Sequence, residues 1–155
     1  MGRIERIWIK RAHRGPMDRV ESALLERDRG VVGSANYGGR RQVTIVSAER
    51  WAEMMERLQA DVDPSARRAN LLVSGIDLAD TRGRVLAVGS CRLAIGGETR
   101  PCERMDEAHR GLQDVMRERW GGGVWATVLA GGEIRVGEAV AWTEAPAEMS
   151  SGAAS

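Results

Sequence analysis

Residues 124–136 read Val124-Trp-Ala-Thr-Val-Leu-Ala130, Gly131-Gly132, Glu133-Ile-Arg-Val136. Two β-prone runs flank a glycine pair, and the stretch predicts a hairpin. Working toward the N-terminus, residues 91–95 and 84–88 read as two short strands separated by Gly89-Ser90. Asn70-Leu-Leu-Val-Ser74 and Arg41-Gln-Val-Thr-Ile-Val46 add two more through their β-branched and aliphatic content. Residues 3–10 read as a strand with Ile7 and Ile9 on one face, and 139–142 as a last one. Seven or eight short strands at this spacing favour a closed or nearly closed barrel over a parallel sheet.

Three helices are expected between the strands. Asp18 with Glu21 forms a capping-box pattern, with Met17 as a staple, and Val20, Leu24 and Arg27 then follow helical spacing to a stop at Gly30. Ser47 caps a second helix, about 48–60, whose apolar face is Trp51, Met54, Met55 and Leu58. A third runs from about 103 to 119, with Ala108, Leu112, Val115 and Met116 as its buried stripe and His109 facing solvent. No repeat or linker divides the chain. The expectation is a single α+β domain over 1–143, a mostly antiparallel β-barrel of about seven short strands with about three inserted helices, followed by a flexible tail over 144–155.

The chain has 155 residues, of which 43% are apolar, enough for a core. With five Trp, one Tyr and no Phe, aliphatic side chains must fill it. A formal net charge of +1 argues against a dedicated nucleic-acid binder. Lys10 is the only lysine, so the rest of the Lys+Arg total is arginine. No stretch has the length of apolar residues that a membrane span needs, and the N-terminus lacks a signal-peptide core. Two cysteines do not make a disulfide framework, so a reducing, cytoplasmic setting is expected. No CxxC or HxxxH pair offers a structural zinc site.

Cys102 is the sharpest chemical feature. It follows Pro101, stands at or just before the first turn of the third expected helix, and is flanked by Arg100 and Arg104. Positive surroundings favour a thiolate, which can act as a nucleophile, carry a sulfane sulfur or bind a soft metal. The plain alternative is an ordinary half-buried cysteine. Cys91, inside an apolar strand pattern, reads as structural. Gly38-Gly39-Arg40-Arg41-Gln42 could cradle a phosphate, as could the basic corner Arg67-Arg68-Ala69-Asn70 before a strand, although each also suits a solvated loop. His13-Arg14-Gly15-Pro16 reads as a polar surface turn, and Gly121-Gly-Gly123 as a helix stop more than a close approach. A covalent pyridoxal phosphate enzyme is set aside, because Lys10 has no supporting motif.

In order along the chain, Gly39-Arg40-Arg41-Gln42-Val43-Thr44, Asn70-Leu-Leu-Val-Ser-Gly75-Ile-Asp77-Leu78, Gly83-Arg-Val-Leu-Ala-Val-Gly89, Thr99-Arg100-Pro101-Cys102-Glu103 and Trp125 through Gly131 to Ile134-Arg-Val-Gly137-Glu138 resemble the MOSC domain, named for the C-terminal domain of molybdenum-cofactor sulfurase. The His13-Arg-Gly-Pro16 segment resembles the opening of some stand-alone members. The resemblance implies a β-barrel, binding of the molybdenum cofactor (molybdopterin), and Cys102 as metal ligand and catalytic residue. It places Arg40, Arg41, Gln42, Asn70 and Arg100 around the cofactor. It implies reduction of N-hydroxylated compounds with a separate redox partner, or a sulfur carrier that receives a persulfide on Cys102 from a cysteine desulfurase. A non-catalytic ligand-binding barrel is the third reading, and both monomer and homodimer stay open. The chain departs from the family pattern at Gly33-Ser34, where Gly-Asp is usual, and at Arg68-Ala69-Asn70, where many members carry Gly-Glu-Asn. It reads as the bare module, without the further domains of larger relatives.

Overall fold

The computed structural model of the protein describes residues 2–143, and the expected tail over 144–155 lies outside them. In chain order the strands are β1 (Gly2–Lys10), β2 (Met17–Val20), β3 (Ser22–Glu26), β4 (Gly30–Val31) and β5 (Val43–Ser47). They continue as β6 (Leu71–Ser74), β7 (Val85–Val88), β8 (Cys91–Glu98), β9 (Val124–Ala130), β10 (Gly132–Arg135) and β11 (Ala139–Thr143). Helix α1 (Ala48–Leu58) follows β5, while α2 (Arg104–Ala108) and α3 (Leu112–Met116) lie between β8 and β9. Single 3-10 turns occupy Pro64–Arg67 and Glu118–Trp120.

Seven strands close into a barrel in the order β11-β7-β8-β9-β5-β6-β1, with β1 returning to β11 through Gly2↔Val140. All neighbours are antiparallel except β5 and β6, which run parallel because α1 crosses over between them. Strand β2 extends the sheet beyond β1, and β10-β3-β4 form a separate small sheet. The α+β barrel expectation is borne out, with one parallel pair in an otherwise antiparallel ring.

Aliphatic side chains fill the barrel, among them Ile4, Ile7, Ile45, Leu71, Leu86 and Leu93, all fully buried. Every residue of β5 is buried. Val43 and Ile45 join the barrel core, while Val46 packs outside it with Trp8, Ala69 and Leu72. Helix α1 uses the expected cap, Ser47 accepting from the Arg50 N–H, and buries Trp51, Met54 and Met55. These meet Met105, Leu112, Val115 and Met116, a methionine-rich layer suited to an irregular interface. Met105 thereby anchors the chain just after Cys102.

Three local expectations are corrected. The helix expected from Asp18 to Gly30 is absent, and β2 and β3 stand there. In β3, Ala23 and Leu25 point inward while Leu24 is exposed, a two-residue period, and Asp18 pairs with Arg11 at 2.7 Å in place of capping anything. The third expected helix is broken in two. Gly111, at φ +89°, interrupts it, leaving Ala108 exposed and His109 half-buried.

The hairpin over 124–136 does not form either. Strand β10 pairs with β3, placing Ile134 opposite Ala23, while β9 is bonded to β8 on one edge and to β5 on the other. Beyond β5, Val128 gives its N–H to Gln42 Oε1 and its carbonyl to the Asp28 N–H, both at 3.0 Å. No edge of β9 is left for β10. Gly131 makes the departure possible, since a β-carbon there would lie 2.4 Å from the Leu25 carbonyl oxygen.

Candidate functional site

The ends of β1 and β8, strand β5 and the turn before β6 enclose a cavity of about 330 Å³. Its charged lining is one-sided: Lys10, Arg41, Arg67, Arg68 and Arg104 contribute, with His13, and no carboxylate does. Among the described residues, none of these cations forms an ion pair. Cys102 lines the same cavity and is exposed. Only five residues make up α2, which begins at Arg104 and has no side-chain cap, so it offers the sulfur little helix dipole, while guanidinium groups line the cavity beside it.

Arg67 is the structural centre of this lining. Its Nε donates to the Gly122 carbonyl and its Nη2 to the Thr99 carbonyl, each at 2.9 Å. Burial lowers its pKa from the ordinary arginine value, and the charge of Cys102 opposes that effect. The glycine run makes the contact possible. A β-carbon on Gly122 would stand 2.5 Å from the Thr99 carbonyl oxygen, and one on Gly123 2.0 Å from that of Ile45. The run is a close approach, not the simple helix stop expected from sequence.

Lys10 is half-buried, and desolvation, followed by the charges of Arg68 and Arg67, holds its pKa below the ordinary lysine value. Arg68 ties the His13 turn to the cavity, its Nη2 donating to the carbonyls of Ala12 at 3.3 Å and His13 at 3.2 Å. Thr99 Oγ1 is shielded from solvent, belongs to a cavity-lining residue and has no partner within the described chain. Cations that line a cavity and face no carboxylate are a fit for an anionic ligand.

The residues singled out from sequence separate into three groups. Cys102 and Arg41 line the cavity. Arg40 and Arg100 line a neighbouring hollow of about 420 Å³ that also includes Arg41 and Trp125. Gln42 and Asn70 are buried in the barrel wall, Gln42 Oε1 accepting from the Val128 N–H. Asn70 Oδ1 accepts from the Thr44 N–H at 3.0 Å, and its Nδ2 donates to the Trp8 carbonyl and Ser34 Oγ, both at 3.2 Å. Of the departures from the family pattern, Ser34 bonds Asn70, and Arg68 and Ala69 line the cavity. The sequence gives Arg67 only as part of the basic corner that could cradle a phosphate, a corner the structure does bring to the cavity, and it assigns no site role to Lys10 or Thr99.

Fold and cavity together define a small barrel protein that presents a thiol beside a basic, anion-attracting hollow. The chain belongs to the MOSC domain family, whose model matches residues 31–141, and the family is associated with molybdenum-cofactor binding. Among solved structures, the YuaD protein from Bacillus subtilis superposes with a TM-score of 0.75 at 19% identity, covering 90% of this chain and 94% of that one. YiiM from Geobacillus stearothermophilus gives 0.74 at 16% identity, covering 93% and 76%. YiiM from Escherichia coli gives 0.69 at 14% identity, covering 93% and 71%. These likenesses are of fold. No curated protein matches the chain. No helix among the described residues is long and apolar enough to cross a membrane.

Proposed function

We propose that the cavity binds the molybdenum cofactor, with Cys102 supplying a thiolate ligand to the metal. The observation that carries this reading is the exposed thiol on a cavity whose five Lys and Arg side chains face no carboxylate. A soft sulfur donor suits molybdenum, and forked guanidiniums suit the phosphate of a pterin ligand. Arg67, Arg68 and Lys10 would hold the phosphate. Among the described residues no group of three or more His, Cys, Asp or Glu could hold a metal, so the remaining donors would come from the cofactor's own sulfurs.

When bound, the cofactor supplies a two-electron redox centre, suited to reducing an N-hydroxylated compound. Two electrons and two protons break the nitrogen–oxygen bond, leaving the amine N–H and releasing the hydroxyl oxygen as water. The electrons would come from a separate donor protein. Anaerobic purification from a cofactor-producing host, with molybdenum and pterin quantified, tests the assignment. Wild type should carry both near stoichiometrically, and Cys102→Ser should lose the metal. A wild type without molybdenum, although the cofactor was supplied, would overturn it.

A second reading is supported by the exposure of Cys102 and the burial of the other thiol, Cys91. In a sulfur carrier the Cys102 thiolate attacks the outer sulfur of a desulfurase persulfide, the donor's S–S bond breaks, and the donor leaves as a thiolate. Incubation with a cysteine desulfurase would then add one sulfur, about 32 Da, to wild type and none to Cys102→Ser.

A further inference from the structure

Lys10 stands where two hollows meet. It lines the Cys102 cavity and also a hollow of about 530 Å³ formed with His13, Asn36, Tyr37, Arg40 and Arg41. No Asp or Glu belongs to either lining. The base of the side chain is fixed, because the Lys10 N–H donates to Ser34 Oγ at 3.2 Å and its carbonyl accepts from the Ala35 N–H at 2.7 Å. Among the described residues the amine forms no ion pair. The charged groups that share the two hollows with it are Arg40, Arg41, Arg67, Arg68 and Arg104, all of its own sign, with His13 beside them. An ammonium placed among guanidiniums and partly withdrawn from water gives up its proton more readily than an exposed one. Desolvation and the charges of Arg68 and Arg67 act on Lys10 in that direction, so more of it is free amine near neutral pH.

A free amine among guanidiniums combines two properties. The amine is a nucleophile, and the guanidiniums draw phosphate to it. One reagent class uses both, an acyl group carried on phosphate. We propose that Lys10 is a modification site for acyl phosphates, with the phosphate held by Arg41, Arg67 and Arg68 while the amine takes the acyl group. The Lys10 nitrogen attacks the carbonyl carbon, a C–N bond forms, and the C–O bond to phosphate breaks. Phosphate leaves with the electron pair and takes up the proton that the nitrogen sheds. The amide is neutral, so acylation removes one cation from the cavity. The bound phosphate itself favours the protonated amine, and proximity offsets this, since a well-oriented reagent reacts orders of magnitude faster than a free one. The inference needs an anion site at the cavity and no cofactor in it.

Incubation of the purified chain with acetyl phosphate at about pH 8, beside Nα-acetyl-lysine amide as a free-amine reference, tests the site. After hydroxylamine has stripped any thioester from Cys102, peptide mass spectrometry should find Lys10 acetylated about 100-fold faster than the reference. N-acetoxysuccinimide, an acetyl donor without phosphate, should show a preference for Lys10 about ten-fold smaller. Inorganic phosphate should compete with the reagent and remove the excess. Arg41→Gln, at an exposed position with no ion pair to lose, should lower the excess about ten-fold. Three results would each overturn the proposal: Lys10 acetylated no faster than the reference, a preference that N-acetoxysuccinimide shares, or an excess that phosphate or Arg41→Gln leaves intact. Selective acetylation of a chain that never takes up molybdenum would sink the cofactor reading and leave this one standing. Molybdenum uptake without selective acetylation would do the reverse.

Discussion

Arg67 and Cys102 are coupled across the cavity. The arginine is fixed by the carbonyls of Thr99 and Gly122, and the charge of the Cys102 sulfur supports its proton against the larger, opposing effect of burial. The same guanidinium therefore closes the loop that precedes the cysteine and adds positive charge to the cavity that the sulfur lines. A structural role and an electrostatic one reside in a single side chain.

Arg67→Met should show both roles. It leaves two carbonyls without their charged donor, and the expected destabilisation is on the order of 2–4 kcal/mol, read by urea unfolding. Molybdenum and pterin per folded chain should fall with it. Arg67→Lys keeps the charge but cannot bridge both carbonyls, and should restore little of the stability. Full stability in Arg67→Met would refute the closure role.

The two thiols should behave oppositely toward iodoacetamide. At pH 8, mass spectrometry should find Cys102 alkylated and Cys91 untouched until the protein is unfolded. Burial raises the Cys91 pKa, with the hydrogen bond from Ser90 working against it. Its contribution to stability is therefore complete below the unfolded thiol value of about 8.5 and is lost as pH rises through the higher folded value. Wild-type unfolding free energy should decline above about pH 8.5, and Cys91→Ala, although less stable, should decline less.

Lys10 offers a direct reporter of anion binding. As the only lysine, it gives one side-chain signal after reductive 13C-methylation. Its titration should fall below the ordinary lysine range, because desolvation and two arginines disfavour its proton. Inorganic phosphate in the cavity should move the midpoint upward, since an anion favours the charged amine. A midpoint that ignores phosphate would argue against anion binding beside Lys10.

Asn70→Ala tests a side chain whose bonds all lie within the barrel wall. Losing its links to Thr44, Trp8 and Ser34 should cost about 2–4 kcal/mol in urea unfolding. Molybdenum per folded chain should stay near the wild-type level. Undiminished stability with lost molybdenum would instead place Asn70 in direct contact with the cofactor.

Much of the barrel is legible from local patterns. The strands near 3–10, 41–46, 70–74 and 84–95 carry aliphatic and β-branched runs, and the cap at Ser47 has one clear mechanism, a side-chain oxygen accepting from an otherwise unpaired N–H. The segment after Asp18 misled because a capping pattern and a helical spacing of Val20 and Leu24 are compatible with residues that also alternate. Burial of Ala23 and Leu25 against the barrel core decided between the two periods. The candidate site is legible at Cys102, Arg41 and the Arg67-Arg68 corner, where a Pro-Cys step and arginine runs stand out locally, and illegible at Lys10, which has no supporting motif.

The amino-acid sequence by itself determined that the chain builds short strands around an aliphatic core, that one cysteine lies in a basic segment, and that the other lies within an apolar run. Tertiary structure alone decided which strands became neighbours and which cations converged. Every strand offers the same backbone donors and acceptors, so residues 124–136 could not reveal that both edges of β9 would be occupied before β10 reached it. Lys10, Arg41, Arg67 and Arg104 are likewise far apart along the chain. Only barrel closure, with Arg67 reaching the Thr99 and Gly122 carbonyls, brings their charges around Cys102.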